Sequence, residues 1–159
     1  MAGLSPNCGG RRGVEQDGIV SEDRLLDYFE SRTHRGVVPV ESARVGHRHP
    51  TCGDVVELSM LVEAGLIRRL RFEARGCVVS QAATAMLCEH LEGQPVDRLV
   101  TFTPREMLAL VGLPLSPRRI PCALLPLEAA RLLAAKLPPT EPATANSTEP
   151  HHSPGHPAT

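Results

Sequence analysis

Three cysteines and one aspartate have the residue types of metal ligands and lie at predicted element boundaries. Cys52 and Asp54 share a turn before a predicted strand, whereas Cys77 and Cys122 each precede a predicted helix. A thiol at a helix N-terminus meets the positive end of the helix dipole, which favours the thiolate that binds metal and attacks sulfur. Three thiolates and a carboxylate suit a zinc ion, or an iron–sulfur cluster with one weak oxygen ligand. A hard oxygen among soft sulfurs favours a cluster that is meant to leave.

The spacing of these cysteines leaves a second interpretation open. The sequence has no Cys-x-x-Cys pair, and the three cysteines are far apart along the chain. Each of them could instead be a small buried side chain that only packs. Cys88, in the middle of a predicted helix, is expected to be such a packing residue. Cys8 lies in the N-terminal segment and has no predicted role.

The composition disfavours other classes of function. The chain has 159 residues, a net charge of −1 and 3% aromatic residues, so it offers neither a basic field nor a stacking surface for nucleic acid. The sequence has no apolar run of membrane-spanning length and no signal peptide at its start, which predicts a cytoplasmic protein in a reducing compartment. Five cysteines, an odd number, argue against a disulfide framework there.

The distribution of apolar residues predicts one ordered domain between two terminal segments that lack a hydrophobic core. Residues 1–20 are Gly-rich and polar, and we expect them to be disordered. Residues 138–159 carry six prolines and no large apolar residue, which predicts a disordered tail. The domain is therefore expected to occupy residues 21–137.

Hydrophobic spacing predicts one helix followed by three strands in the first half of this domain. The segment EDRLLDYFE has apolar residues at helical spacing, and Gly36 opens VVPVESARVG, a strand whose Pro39 suits an edge position. The segments DVVELSML and IRRLRFEA alternate apolar and polar residues. The turn Glu63-Ala64-Gly65 joins these two segments into a predicted hairpin.

Three helices are predicted in the second half. The segment SQAATAMLCEHLEG has an apolar helical face, with Ser80 as its expected cap. Thr103 and Pro104 start a capping-box helix that Gly112 ends, and ALLPLEAARLLAAKL forms a last helix with Pro126 in its first turn. The order α-β-β-β-α-α-α predicts an α+β fold, a three-stranded antiparallel sheet with helices packed on one face.

The segments around the candidate ligands also resemble a known family. They are similar to three segments of the IscU/SufU/NifU N-domain family of iron–sulfur cluster assembly scaffolds. HPTCGDVVEL resembles the N-P-x-C-G-D segment of that family, and FEARGCVVSQAATAM resembles its G-C-x-x-S-x-A-S segment. RRIPCALLPLEAA resembles its final cysteine before a helix. The segment LLDYFESRTHRG resembles the opening helix of that family. The resemblance extends from Arg24 to Ala135, and it implies the same α+β fold.

The resemblance implies a scaffold or carrier rather than an enzyme, with its site on Cys52, Asp54, Cys77 and Cys122. Such a scaffold takes sulfur from a cysteine desulfurase, holds iron and a transient [2Fe–2S] or [4Fe–4S] cluster, and passes the cluster to recipient apo iron–sulfur proteins. A homodimer is compatible with this role. By this resemblance Asp54 tunes how readily the cluster is released.

Two alternatives remain open at this stage. The SufU branch implies Zn²⁺ on the same four residues and a protein that accepts sulfur as a persulfide and activates the desulfurase. Cys52 is the acceptor by that analogy, whereas the IscU branch points to Cys122. A third interpretation is a structural zinc module that serves as an interaction platform and depends on its metal for folding.

The chain departs from the family pattern at four positions beside the ligands. His49 replaces the usual Asn, and Pro121 replaces the His that precedes the last cysteine in the IscU branch. Arg118 and Arg119 replace the Val and Lys of the loop before that cysteine. Without a His at position 121, Asp54 is the expected fourth ligand.

Histidines near the Cys52 loop and in the C-terminal tail have no assigned role. His47 and His49 are interpreted as solvated loop residues, with an imidazole ligand or a proton relay as the alternative. His151, His152 and His156 are interpreted as solvated tail residues that bind metal at most weakly.

Overall fold

The structure, a computed structural model, describes residues 22–138. Its three strands form one antiparallel sheet, as the sequence predicts, and they lie in chain order within that sheet. The predictions for residues 1–20 and 139–159 lie outside the described residues. Among the helices of the described range, none is long and apolar enough to cross a membrane. The elements are α1 Glu22–Glu30, β1 Ala43–Arg48, β2 Val55–Glu63, β3 Leu66–Arg75, α2 Val78–Leu91, α3 Arg98–Thr101, α4 Pro104–Val111 and α5 Ile120–Ala135.

The hairpin of β2 and β3 forms where the alternating pattern predicts it. Ala64 and Gly65 connect the two strands, and both have positive φ, 51° and 73°. Positive φ at both central residues is the signature of the two-residue turn that matches strand twist. The apolar positions of both strands point to the same side and form the centre of the core: Val56, Leu58, Met60, Leu70 and Phe72.

Strand β1 is shorter than predicted, because residues 37–42 do not pair as a strand. Pro39 lacks the amide that a strand would use. The backbone N–H of Val38 instead donates to the Ser59 hydroxyl at 2.9 Å, and that of Val62 donates to the Ser42 hydroxyl at 3.0 Å. The segment therefore lies across the outer face of the sheet, and it buries both Val38 and Ser59.

The helices pack on the other face of the sheet. Helix α2 lies against β3 and α5, and α5 lies against β1 and β2. Every residue of α2 from Ala82 to Cys88 is buried, and the three alanines in this stretch let neighbouring elements approach closely. Leu26 of α1, predicted on an apolar face with Leu25, is 47% exposed, whereas Leu25 is buried.

The last two predicted helices differ in how well the sequence located them. Helix α4 has the predicted capping box between Thr103 and Glu106, and Gly112 ends it in the left-handed region. Helix α5 begins at Ile120, so Cys122 lies within its first turn rather than before it. Pro126 is consequently inside the helix, where it supplies no amide for the carbonyl of Cys122. The short helix α3 was not predicted.

The outer edge of β3 is covered by two loops rather than left open. Phe72 exchanges backbone hydrogen bonds with His34 and Gly36, both at 2.9 Å. Ile67 does the same with Gln94 and Gly93, at 2.9 and 2.7 Å. Because exposed strand edges pair readily with other chains, this cover protects the sheet.

Candidate metal centre

The loop between β1 and β2 closes on His49 and presents Cys52 to solvent. The His49 N–H donates to the Asp54 carbonyl at 2.9 Å, and the Gly53 N–H donates to the His49 carbonyl at 3.0 Å. The Nδ1 atom of His49 accepts the N–H groups of Thr51 and Cys52, each at 3.3 Å. Gly53 has a φ of +75°, a conformation that a side chain would strain. The loop is therefore held by its own backbone and by one imidazole.

Asp54 lies buried against the connection between β3 and α2. Its Oδ2 atom accepts the backbone N–H of Cys77 at 3.3 Å, and its side chain is 8% exposed. Gly76 has a φ of +150°, and a Cβ there would lie 2.4 Å from the Asp54 Cγ. This close approach requires a glycine at position 76. Burial pushes the pKa of Asp54 up, but hydrogen bonds from Cys77, Ser80 and Cys122 hold that pKa below its ordinary value.

Cys77 is the N-cap of α2, which corrects the prediction that Ser80 caps this helix. The Cys77 Sγ accepts the N–H of Ser80 at 3.4 Å. The Ser80 hydroxyl donates to the Cys77 carbonyl at 3.0 Å, inside the first turn. The sulfur therefore takes the position that a Ser or Asp oxygen usually occupies.

Cys122 approaches the same place from α5. Its thiol donates to the Arg118 carbonyl at 3.9 Å, and the residue is only 3% exposed. Burial raises the pKa of Cys122 to about 12, and the side chains of Cys77, Cys52 and Asp54 add to that increase. A bound cation reverses this effect, since it stabilises the thiolate that crowded negative groups destabilise.

Three of the four predicted ligand residues meet at one end of the sheet, and Cys77 lies beside them. The ligand atoms of Cys52, Asp54 and Cys122 lie within 4.8 Å of one another. Cys77 joins them through its N–H bond to Asp54 and its side-chain contact with Cys122. Three soft sulfurs and one hard oxygen suit zinc and iron–sulfur clusters, and they fit neither calcium nor magnesium.

The other residues considered from the sequence lie outside this group. His47 is in β1, and its Nε2 lies 3.0 Å from Oε2 of Glu128 in α5, so it is not a free loop residue. His49 is likewise engaged: its Nδ1 lone pair faces two amides, which leaves the ring proton on Nε2. Cys88 is fully buried in the core, where burial raises its pKa. Cys8 and the three tail histidines lie outside the described residues.

The role of His49 as an acceptor within the loop was not predicted from the sequence. An Asn or Asp side chain commonly accepts backbone amides two and three residues ahead, and His49 does the same with its Nδ1 atom. The departure from the family Asn was itself the signal, since the Nδ1 atom of a histidine can accept backbone amides as the oxygen of an asparagine does.

The family model of the NifU-like N terminal domain matches residues 20–138. The chain belongs to this family. The match covers all of the described residues, including the four candidate ligands. This NifU-like domain therefore has the α+β fold that the sequence motifs implied.

Curated relatives and a solved structure agree with this placement. The chain is 31% identical over 84 residues to the iron-sulfur cluster assembly scaffold protein IscU of Thermotoga maritima, with 53% of this chain and 59% of that protein covered. It is 25% identical to the zinc-dependent sulfurtransferase SufU of Bacillus subtilis, with 70% of this chain and 87% of that protein covered. The N-terminal NifU-like protein of Brucella abortus has the same fold, with a TM-score of 0.60, 18% identity and coverage of 72% and 91%.

Proposed function

We propose that this NifU-like chain is an iron–sulfur cluster assembly scaffold. In this role it receives sulfur from a cysteine desulfurase, binds iron and the nascent cluster on Cys52, Asp54, Cys77 and Cys122, and transfers the cluster to apo-proteins. The observation that carries the proposal is the convergence of Cys52, Asp54 and Cys122 within 4.8 Å, with Cys77 adjoining. The chain acts as a carrier, since it keeps neither sulfur nor iron.

The four ligands have different accessibilities, which suits different tasks. Cys52 is exposed on its loop, whereas Cys122 is 3% exposed. This favours Cys52 as the sulfur acceptor. Its thiolate attacks the outer sulfur of the donor persulfide, a new S–S bond forms on Cys52, and the donor thiolate leaves. Asp54 provides the hard, weakly held oxygen ligand, which supports release of the cluster.

The test is metal and sulfide analysis of protein purified without oxygen. After reconstitution with iron, sulfide and a desulfurase, we expect visible charge-transfer absorption, acid-labile sulfide and transfer of the cluster to an apo-ferredoxin. Cys52→Ser, Cys77→Ser and Cys122→Ser should each lower the sulfide content. A colourless product that keeps zinc and takes up no sulfide would contradict the scaffold function.

A zinc-dependent sulfur acceptor is the second candidate. It is favoured by the similarity to Bacillus subtilis SufU over 87% of that protein and by Pro121, which removes the neighbouring His ligand. Zinc on the same four residues would leave Cys52 as the accessible thiol. This function predicts tightly bound zinc, a persulfide on Cys52 and faster turnover of an added cysteine desulfurase. Unchanged turnover with no persulfide would rule it out.

A structural zinc module is the third candidate and has the least support. Metal that only holds the fold is essential where the core is small. Here the core contains large side chains from the sheet and from α2 and α5, and many of them are fully buried. We therefore expect chelation of metal to leave most of the fold intact, as far-ultraviolet circular dichroism would show.

A further inference from the structure

We propose that four exposed arginines around the thiol site form a docking surface for a partner that presents an acidic segment beside the group it exchanges. This surface, the arginine rim, consists of Arg48, Arg75, Arg118 and Arg119. The identity of the exchanged group, sulfur or a cluster, rests on the proposed function. The charge and position of the rim do not depend on that function.

Two members of the rim lie side by side at the end of the sheet. Arg48 pairs with Val55 on one side, and Arg75 pairs with Val55 on the other. Residues directly opposite each other on neighbouring strands point to the same face, so both guanidinium groups leave the sheet on its outer face. The Arg48 Nη2 lies 3.7 Å from the position of a Cβ on Gly53. Its charge is therefore held above the Cys52 loop.

The other two members lie on the α5 side of the same thiols. The carbonyl of Arg118 accepts the Cys122 thiol at 3.9 Å, and Arg119 is the residue before α5. Both arginines are exposed. Because the sulfurs of Cys122 and Cys52 lie within 4.8 Å of each other, this second pair of arginines also lies beside the exposed thiol.

The charge of the rim is uncompensated within the described part of the chain. None of its four arginines forms an ion pair with an acidic side chain of residues 22–138. Other arginines of the domain are paired in this way: Arg44 with Glu57, Arg68 with Glu63, Arg71 with Glu92 and Arg98 with Glu106. Since the chain has a net charge of −1, the positive field is local.

Two of the three acidic residues beside the rim on the sheet and its loop are already engaged by other groups. Asp54 is buried and engaged by the Cys77 amide, and Glu57 is held by Arg44. Glu73 lies one row further along the outer face of the sheet. An attacking sulfur group would therefore meet positive charge on its approach to Cys52.

The chemistry of the rim favours an acidic protein segment over other occupants. Free metal cations are repelled by four positive charges, so the rim does not serve their capture. Nucleic acid needs a longer basic surface than these four side chains provide. A carboxylate-rich segment matches the fork geometry of guanidinium groups and gains most from them at low ionic strength.

Two cysteine peptides of opposite charge test this surface. Ac-Glu-Glu-Cys-Glu-Glu-amide and Ac-Lys-Lys-Cys-Lys-Lys-amide are activated as thiopyridyl disulfides and mixed with the full chain in a Cys8→Ser background. Attack by the protein thiol forms a mixed disulfide and releases pyridine-2-thione, which is followed by absorbance. We expect the acidic peptide to react about 10-fold faster in low salt, with most of this ratio lost at 0.5 M salt.

Matched variants separate the rim from net charge. Arg48→Gln with Arg75→Gln should lower the rate ratio at least threefold, and Lys at both positions should restore most of it. Arg69→Gln with Arg105→Gln removes two exposed arginines away from the site and should leave the ratio unchanged. Equal rates for the two peptides in the parent chain, or the same loss in both double variants, would overturn the proposal.

Metal analysis of the same samples keeps the two proposals apart. The Arg48→Gln, Arg75→Gln variant should keep its zinc or its reconstituted cluster, because neither residue is a ligand. If the parent chain holds neither zinc nor cluster, the proposed function fails whatever the peptide ratio is. If metal binds normally and the peptide ratio is one, only the docking surface fails.

Discussion

The two ends of helix α2 are held by different kinds of contact. At its start, the Cys77 sulfur accepts the Ser80 amide at 3.4 Å, and the Cys77 amide reaches Asp54 at 3.3 Å. At its end, Glu92 accepts Arg71 at 2.7 Å and the Leu70 amide at 3.0 Å. The first end uses two longer bonds, one to a sulfur and one to a carboxylate. The second end uses two shorter bonds to a carboxylate, one of them from a guanidinium group.

This difference assigns metal binding to the start of the helix and stability of the fold to its end. Charge-assisted hydrogen bonds are shorter and stronger than neutral ones, and a half-buried carboxylate with two donors fixes the helix end to β3. Long hydrogen bonds to a thiol are weak. The Cys77 sulfur can therefore leave the Ser80 amide and bind a metal ion at little cost in free energy. We expect substitutions at the start to change metal binding, and substitutions at the end to change stability.

Removal of the capping thiol should give the largest effect. Cys77→Ala takes one of three sulfurs from the site, and we expect zinc affinity to fall more than about 100-fold, since even outer partners of ligands are worth about 10–100-fold. Competition with a chromophoric chelator measures this. Cys88→Ala, which removes the buried thiol of the same helix, should keep the affinity of the parent chain. A similar loss of zinc affinity in both variants would show that the effect is not specific to the start of the helix.

A methyl group at position 76 should disturb the start of the helix through Asp54. Gly76→Ala forces a Cβ to within 2.4 Å of the Asp54 Cγ and leaves a side chain at a φ of +150°. We expect a loss of about 2 kcal/mol in the free energy of unfolding, together with weaker zinc binding. Urea denaturation measures the first and chelator competition the second.

The control for this prediction is a glycine in β1. At Gly46 an added Cβ meets nothing within 4 Å, and its φ is not positive. Gly46→Ala should therefore change the free energy of unfolding by no more than about 0.5 kcal/mol. Equal effects at the two glycines would show that Asp54 can move away without cost.

The opposite end should respond in stability alone. Glu92→Gln weakens the bond to Arg71 and replaces an acceptor of the Leu70 amide, so we expect a loss of about 1–2 kcal/mol. Zinc affinity should stay as in the parent chain. Glu63→Gln, in an exposed ion pair with Arg68 at 3.5 Å, is the matched control and should cost less than about 0.5 kcal/mol. Weaker zinc binding in Glu92→Gln would show that the two ends are coupled.

The stability contributed by Glu92 should depend on pH. Burial pushes the pKa of Glu92 up, but the Leu70 amide and Arg71 hold that pKa below its ordinary value of 4.5. A carboxylate with a depressed pKa contributes stability above 4.5, and this contribution is lost as the pH falls through the folded-state pKa. The difference between the parent chain and Glu92→Gln should therefore shrink as the pH falls below 4.5. A difference that grows in acid would contradict this assignment.

The smallest effect is expected at His49. His49→Ala leaves the amides of Thr51 and Cys52 without their acceptor, and we expect zinc affinity to fall about fivefold at most. His49→Asn restores an oxygen acceptor and should recover most of the loss. An alanine variant with unchanged affinity, or an asparagine variant that behaves like alanine, would remove His49 from the list of positioning residues.

Local patterns account for what the sequence predicted well. The alternation of β2 and β3 depends on neighbours along the chain, and the capping box of α4 lies within four residues. These signals need no knowledge of distant contacts. The segments around the four ligands were also recognisable, because each combines a ligand with glycine or with a helix start.

Long-range contacts account for what the sequence did not reveal. The start of β1 was misplaced because Val38 is held by Ser59, which lies in another strand. The start of α5 is an exception, because it was misplaced for a local reason: a turn from Ser116 to Arg119 leads directly into Ile120. The convergence of the ligands itself depends on the packing of α5 against β1 and β2, which no local pattern encodes.

Pro126 weakens the first turn of α5, which carries the candidate ligand Cys122. Because this residue has no amide, the carbonyl of Cys122 lacks the hydrogen bond that would join it to the next turn of α5. Opening of the first turn therefore breaks one bond fewer than in an uninterrupted helix, while Leu125, Leu127 and Ala129 remain buried. The ligand turn can act as a small, separate unit of local unfolding, with a lower opening free energy than the body of the helix. Under the proposed function, release of the cluster would then need only a local opening of this turn.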